Sequence, residues 1–285
     1  MRRLAAALVV PALLISACSG SATSSTPSDR PVVVASFAPL ADIARQVGGP
    51  DVSVVDLTPS GVEPHDLELT AQQVGQIADA DVVVSIPGFQ SAVDEAIAQQ
   101  ASDRSVDATT GVDLIAGDPH VWLDPANMAV IATSVATALG AADPAHATDY
   151  DARAAAYAAA MTALSTDMAA GLAQCASTDL VVSHEAFAYL ARAFGLTQIG
   201  ISGISPDAEP SPARIAEVAR LVTDKGVSTV YFEPLVDPKI AQTVADESGA
   251  SVAELDPIEN LADGSTYEDV MRANLKTLQE GQQCR

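Results

Sequence analysis

The chain has 285 residues, 37 of them acidic against 14 basic, and a formal net charge of −23. A surplus of that sign excludes a nucleic-acid binder, which needs clustered Lys and Arg, and suits a surface that repels anions and mildly concentrates cations. An apolar content of 48% supports packed cores, and the length suits one large or two mid-sized domains.

Residues 1–17 open with Arg2 and Arg3, run through an apolar stretch from Leu4 to Ile15 and close on Ser16-Ala17. That is the layout of a secretory signal. Ile15-Ser16-Ala17-Cys18 resembles a bacterial lipobox, which implies cleavage before Cys18 and a lipid on it. A lone transmembrane anchor is the alternative. Pro11 and the shortness of the run count against it, because a span takes about 20 apolar residues. No later run reaches that length. Residues 18–30 are rich in Ser and Thr and read as a lipidated polar linker with nothing to bury.

Val32–Ser36 is a short β-branched run, followed by a helical pattern over 39–47 that stops at Gly48-Gly49. Val52–Leu57 reads as a strand, 70–79 as a helix and Asp81–Ile86 as a strand ended by Pro87-Gly88. Asp124-Pro125 starts a helix, with Asp as cap and Pro at the first helical position. From Asp143-Pro144 to about Cys175 alanine dominates and no further Pro occurs, which predicts a single long helix over 143–175. The strand–helix rhythm then returns: strand Asp179–Ser183, helix 186–194, strand Thr197–Ile201, a helix from Ser211-Pro212 and strand Val227–Phe232. A helix from Asp237-Pro238, strand Ser251–Leu255 and helix 266–282 complete the chain. Short strands alternating with helices mean an α/β fold with mostly parallel sheets. The expected organisation is an N-terminal lobe over 31–142, the linking helix over 143–175 and a C-terminal lobe over 176–285. The other reading of the long helix is packing along a single domain.

Beyond Cys18 the cysteines are Cys175 and Cys284, an even pair in an oxidising compartment, and a disulfide between them is expected. Two buried thiols or a metal role are the alternatives.

The chain holds four histidines. His65, in Glu63-Pro64-His65-Asp66, follows a strand. His120 precedes a capped helix. His184 ends the run Val181-Val182-Ser183. Asp256 closes the last strand. All four positions fall where strands give way to loops, the edge at which open α/β sheets bind ligands. Three imidazoles and one carboxylate are a full tetrahedral set for Zn²⁺, softer than the all-oxygen shells that suit Mg²⁺ or Ca²⁺. Two donors from each lobe would put the ion between the lobes. His146 lacks such a setting and reads as solvated at the start of the long helix. Trp122 reads as core packing. Glu233 could orient a ligand imidazole by accepting its outer N–H or make a structural hydrogen bond, and Glu63, able to contact the metal or its water, is expected to face solvent.

Ser36-Phe37-Ala38-Pro39-Leu40, Glu63-Pro64-His65-Asp66, His120-Val121-Trp122-Leu123-Asp124-Pro125, Ser183-His184-Glu185-Ala186-Phe187, Phe232-Glu233-Pro234 and Leu255-Asp256-Pro257 occur in that order. Together they resemble the zinc/manganese solute-binding lipoproteins of bacterial ABC importers, over about residues 31–283. The resemblance implies two α/β lobes joined by a long helix, with one divalent ion held by His65, His120, His184 and Asp256. It implies a monomer anchored by lipid at Cys18 on the outer face of the cytoplasmic membrane, handing Zn²⁺ to a permease with its ATPase. Many manganese-binding members carry Glu where His184 stands, so His leans to zinc. Many zinc members carry a His-rich loop between the first two ligand motifs, and residues 88–117 contain no His, so Mn²⁺ stays open. A secreted zinc hydrolase would need an open coordination position and a nearby base; neither an H-E-x-x-H helix nor a G-x-S-x-G elbow is present. The chain reads as no enzyme. A surface interaction protein with a structural zinc site is the remaining alternative.

Overall fold

The computed structural model describes residues 30–285. The expected signal peptide, the lipid site at Cys18 and all but the last residue of the linker lie outside the described residues. Strands β1 (Val32–Ala35), β2 (Ser53–Asp56), β3 (Val82–Ser85) and β4 (Ser105–Asp107) form a sheet in the order β2-β1-β3-β4. A second sheet, from β5 (Asp179–Val182), β6 (Thr197–Gly200), β7 (Thr229–Phe232) and β8 (Ser251–Glu254), has the order β6-β5-β7-β8. Every pairing in both is parallel, as alternating strands and helices require.

Strands β1, β3 and β5 are buried on both faces, which is why they read as continuous apolar runs and not as alternating patterns. Side chains still alternate between faces. Val33, Ala35, Val82 and Val84 face an inner core, and Val34 and Val83 face an outer one. In the second sheet Leu180 and Val182 point inward, Val181 and Val230 outward. The outer layers are α2 (Ala71–Asp79) and α3 (Ser91–Gln100) on the first sheet, and α7 (Pro212–Lys225) and α8 (Lys239–Ser248) on the second. The inner layer is made of α1 (Ala38–Gly48), α4 (Pro125–Ala142), α5 (Ala147–Leu172) and α9 (Tyr267–Gly281), which share one core across both halves. A short α6 (Ala188–Phe194) completes the second half and stops at Gly195, in the left-handed conformation at φ 72°.

Side-chain caps mark the starts of α2, α4, α7 and α9. Thr70 and Thr266 each form a reciprocal capping box, with Gln73 and Asp269 respectively. The long helix is shorter than expected. Asp143 accepts from the Ala145 N–H and takes the His146 imidazole at 2.6 Å, so the chain turns there and α5 runs only over its 26 residues, about 39 Å. It both links the halves and packs along them: α4 lies against it, α1 rests on it from one half and α9 from the other. α4 spans 18 residues without a charge; Met128, Ile131, Val135 and Leu139 bury its apolar face in the shared core. The segment 88–117, which carries no strong periodicity, adds α3 and β4.

Cys175 and Cys284 form a disulfide that closes a loop of sequence separation 109. It ties the end of α5 to the chain terminus, beside the backbone bond from Ala176 N–H to Gln282 O, at the amino-terminal edge of the second sheet.

Candidate metal centre

Four side chains converge between the carboxyl edges of the two sheets: His65, His120, His184 and Glu259. His120 Nε2 lies 3.3 Å from both His65 Nε2 and His184 Nε2. Glu259 Oε1 stands 3.3 Å from His65 Nε2 and 3.6 Å from the Nε2 atoms of His120 and His184. A regular tetrahedron whose corners lie 2.0–2.1 Å from its centre has edges of about 3.3–3.4 Å, so the donor spacing fits Zn–N and Zn–O bonds. His120 and His184 are fully buried and Glu259 is 2% exposed, which leaves water little part in satisfying these lone pairs.

The outward nitrogens fix the inward ones. His120 Nδ1 lies 2.7 Å from Asp118 Oδ1, and His184 Nδ1 lies 2.6 Å from Glu233 Oε2. Each carboxylate accepts the Nδ1 proton, so Nε2 presents its lone pair to the centre. Asp118 Oδ1 and Glu233 Oε1 also accept the backbone N–H of the same histidine, clamping ring and main chain together. Glu233 thus stands where the orienting acceptor was expected. Asp118 supplies the same arrangement for His120 and was not anticipated, although Asp118-Pro119-His120 repeats the Glu63-Pro64-His65 pattern.

Without a cation the cluster settles its charge with protons. Burial alone would depress the His184 imidazole. Hydrogen bonds to Glu233 and Glu259 outweigh it and hold its pKa at about 10. Burial likewise pushes Glu259 up, but hydrogen bonds from the three imidazoles bring it well below the usual carboxylate range. Glu63 is raised to about 8 by burial and by the charge of Glu259. Its Oε1 accepts from the His65 N–H at 2.9 Å, so it braces the His65 turn from outside the donor cluster.

The structure corrects one expected donor. Asp256 does not join the imidazoles. Its Oδ1 accepts from the Ile258 N–H at 2.7 Å, and its main chain is gripped by Asn274. Burial raises its pKa to about 6. Acidic-Pro pairs recur along this chain as caps of the residue two positions on: Asp124 to Ala126, Asp143 to Ala145, Asp237 to Lys239. Asp256-Pro257 is another. It turns the chain through Ile258, a buried β-branched residue at φ 58°. That left-handed conformation costs about 1–3 kcal/mol and delivers Glu259, not Asp256, to the centre. The recurrence of the acidic-Pro cap was the available signal.

Trp122 is buried, as expected. Its Nε1 donates to Pro257 O at 2.7 Å, and the Tyr267 hydroxyl donates to Trp122 O at 2.6 Å. The Glu259 turn, in the second half, is therefore pinned to the first half. His146 sits apart from the cluster, its ring near Asp143 and Asp51.

Comparison with known proteins agrees with this geometry. The family described as zinc-uptake complex component A, periplasmic (ZnuA), matches residues 33–281. The zinc-binding protein AdcA of Streptococcus pyogenes serotype M1 is 32% identical over 282 residues, covering 86% of this chain and 55% of that protein; the chain thus spans about half the length of this relative. The high-affinity zinc uptake system protein ZnuA of Bacillus subtilis is 30% identical over 298 residues, covering 94% of this chain and 93% of the other. The Zn(II)-bound ZnuA-like domain of Streptococcus pneumoniae AdcA superposes with a TM-score of 0.79 at 33% identity, covering 89% of this chain and 99% of that one. The laminin-binding protein of Streptococcus agalactiae, described as an adhesin with metal-transporting activity, gives a TM-score of 0.82 at 33% identity, with 88% and 99% covered. Parallel sheets meeting at their carboxyl edges, a helix packed between them and a match from the first strand to the last helix lead to one conclusion: the chain belongs to the family of periplasmic A components of zinc-uptake complexes.

Proposed function

We propose that this protein captures Zn²⁺ outside the cytoplasm, holds it through His65, His120, His184 and Glu259, and delivers it to an ABC permease driven by an ATPase. In this reading the mature chain is a monomer held by a lipid at Cys18 on the outer face of the cytoplasmic membrane. The observation that carries the proposal is the buried set of three Nε2 atoms and one carboxylate oxygen at tetrahedral spacing. Manganese fits less well, because it favours six oxygen-rich donors. Four protein donors leave no position for a water nucleophile, which speaks against a hydrolase.

Calorimetric titration with Zn²⁺ and Mn²⁺ in competition tests the reading. One equivalent of Zn²⁺ should bind and displace Mn²⁺. Preference for Mn²⁺, or no Zn²⁺ uptake, would overturn it. Stripping the metal with a chelator should leave the protein folded, whereas a structural site would melt.

A further inference from the structure

His65 differs from the other donors in what holds it. His120 is fixed by Asp118, His184 by Glu233 and the Glu259 turn by Trp122 and Asn274, all of them buried. The turn that carries His65 is exposed at Ser60, Gly61, Val62 and Asp66. A side chain from the opposite half holds its backbone. Asn260, the residue after Glu259, accepts from the Gly61 N–H through Oδ1 at 2.7 Å and donates from Nδ2 to Val62 O at 2.9 Å. The carboxamide thus engages two main-chain groups of the turn at once. Gly61, at φ 79°, offers that N–H from a conformation that only glycine adopts without penalty.

We infer that Asn260 is a positioning residue that latches the His65 turn over the bound ion and so sets how fast the ion leaves. The inference rests on the metal reading above. Donor and latch are consecutive residues, so the turn that presents Glu259 to the ion also presents Asn260 to the His65 turn. Asn260 contributes no donor to the cluster, so the coordination shell does not depend on it. Two solvent-accessible hydrogen bonds hold a turn weakly by themselves. Once His65 is tied to the ion, they add to the same closed geometry, and their loss is felt in release and not in capture.

The test is Asn260→Ala in the intact chain, loaded with one equivalent of Zn²⁺ and mixed with excess EDTA in a stopped-flow instrument. Release should speed up by roughly 10-fold, what two net hydrogen bonds are worth. The association rate should stay within about 2-fold, as most changes at one binding site act on dissociation. Cobalt-loaded protein should keep the wild-type visible spectrum, because the donors are the same. Amide exchange at residues 59–65 of the loaded variant should rise. Wild-type release would overturn the latch and leave the metal site standing. A changed cobalt spectrum would make Asn260 a determinant of the donor set and overturn it too. Failure of the wild-type protein to take up zinc would remove the site itself, and the latch with it.

Discussion

The two halves share one strand order and use it differently. In the second half His184 comes two residues after β5 ends at Val182, so the sheet itself aims its imidazole. In the first half His65 is reached only after a turn that leaves β2 at Asp56 and runs through exposed residues. His184 has no exposed surface, whereas the His65 side chain retains 9%. His184 and His65 thus differ in how far each stands from the strand that precedes it.

Removing a donor should break this contrast most visibly. Zinc sites with four donors bind with about 10–16 kcal/mol, so a quarter of that is worth roughly 10²–10³-fold in affinity. Glu259→Ala and His120→Ala should reach that loss in competition titrations. His65→Ala should fall short of it, since water can reach the vacated corner. Equal losses at His65 and His120 would erase the distinction.

Next come the orienting carboxylates. Asp118→Ala and Glu233→Gln should each weaken zinc by about 10–100-fold with all four donors in place, read by the same titrations. An effect below 2-fold would mean that the rings are held by packing alone.

The pH response is smaller per step. His184 has its pKa raised to about 10 in the metal-free protein, burial being outweighed by Glu233 and Glu259. A raised pKa favours the protonated, metal-free form at every pH below that value, so zinc must expel a proton throughout the neutral range. Affinity should fall by up to about 10-fold per unit from pH 8 to pH 6; a flat profile would contradict imidazole ligation.

Least effect on zinc is expected from Cys175→Ser with Cys284→Ser. The bridge lies at the opposite edge of the second sheet, and its loss should lower the melting temperature, by up to about 4–5 kcal/mol of stability in the chain-entropy picture, with affinity unchanged.

Much of this was legible beforehand. Three of the four histidines, expected as donors from their loop-edge settings, converge with Glu259 in the structure. Apolar β-branched runs located β1, β3, β5 and β7 to within a residue or two. Segment 88–117 escaped because α3 buries only Val93, Ala96 and Ile97, and β4 is three residues long, too little for either period to show. The fourth donor escaped for a different reason. Asp256 and Glu259 both follow β8, and only the backbone reversal at Ile258 decides which of them faces the cleft. Such a turn has no periodic trace in sequence.

The core that runs unbroken beneath α4 and α5 bears on how cargo is surrendered. Prying the halves apart as two rigid blocks would open the core that α9 shares with α5, to which Met168, Leu172, Met271 and Leu278 belong. At about 1.5–3 kcal/mol for each large side chain, that approaches the entire 5–15 kcal/mol by which such proteins stay folded. In the proposed role, a transporter that unloads this protein has far less work to do by tugging on surface turns than by forcing the jaws.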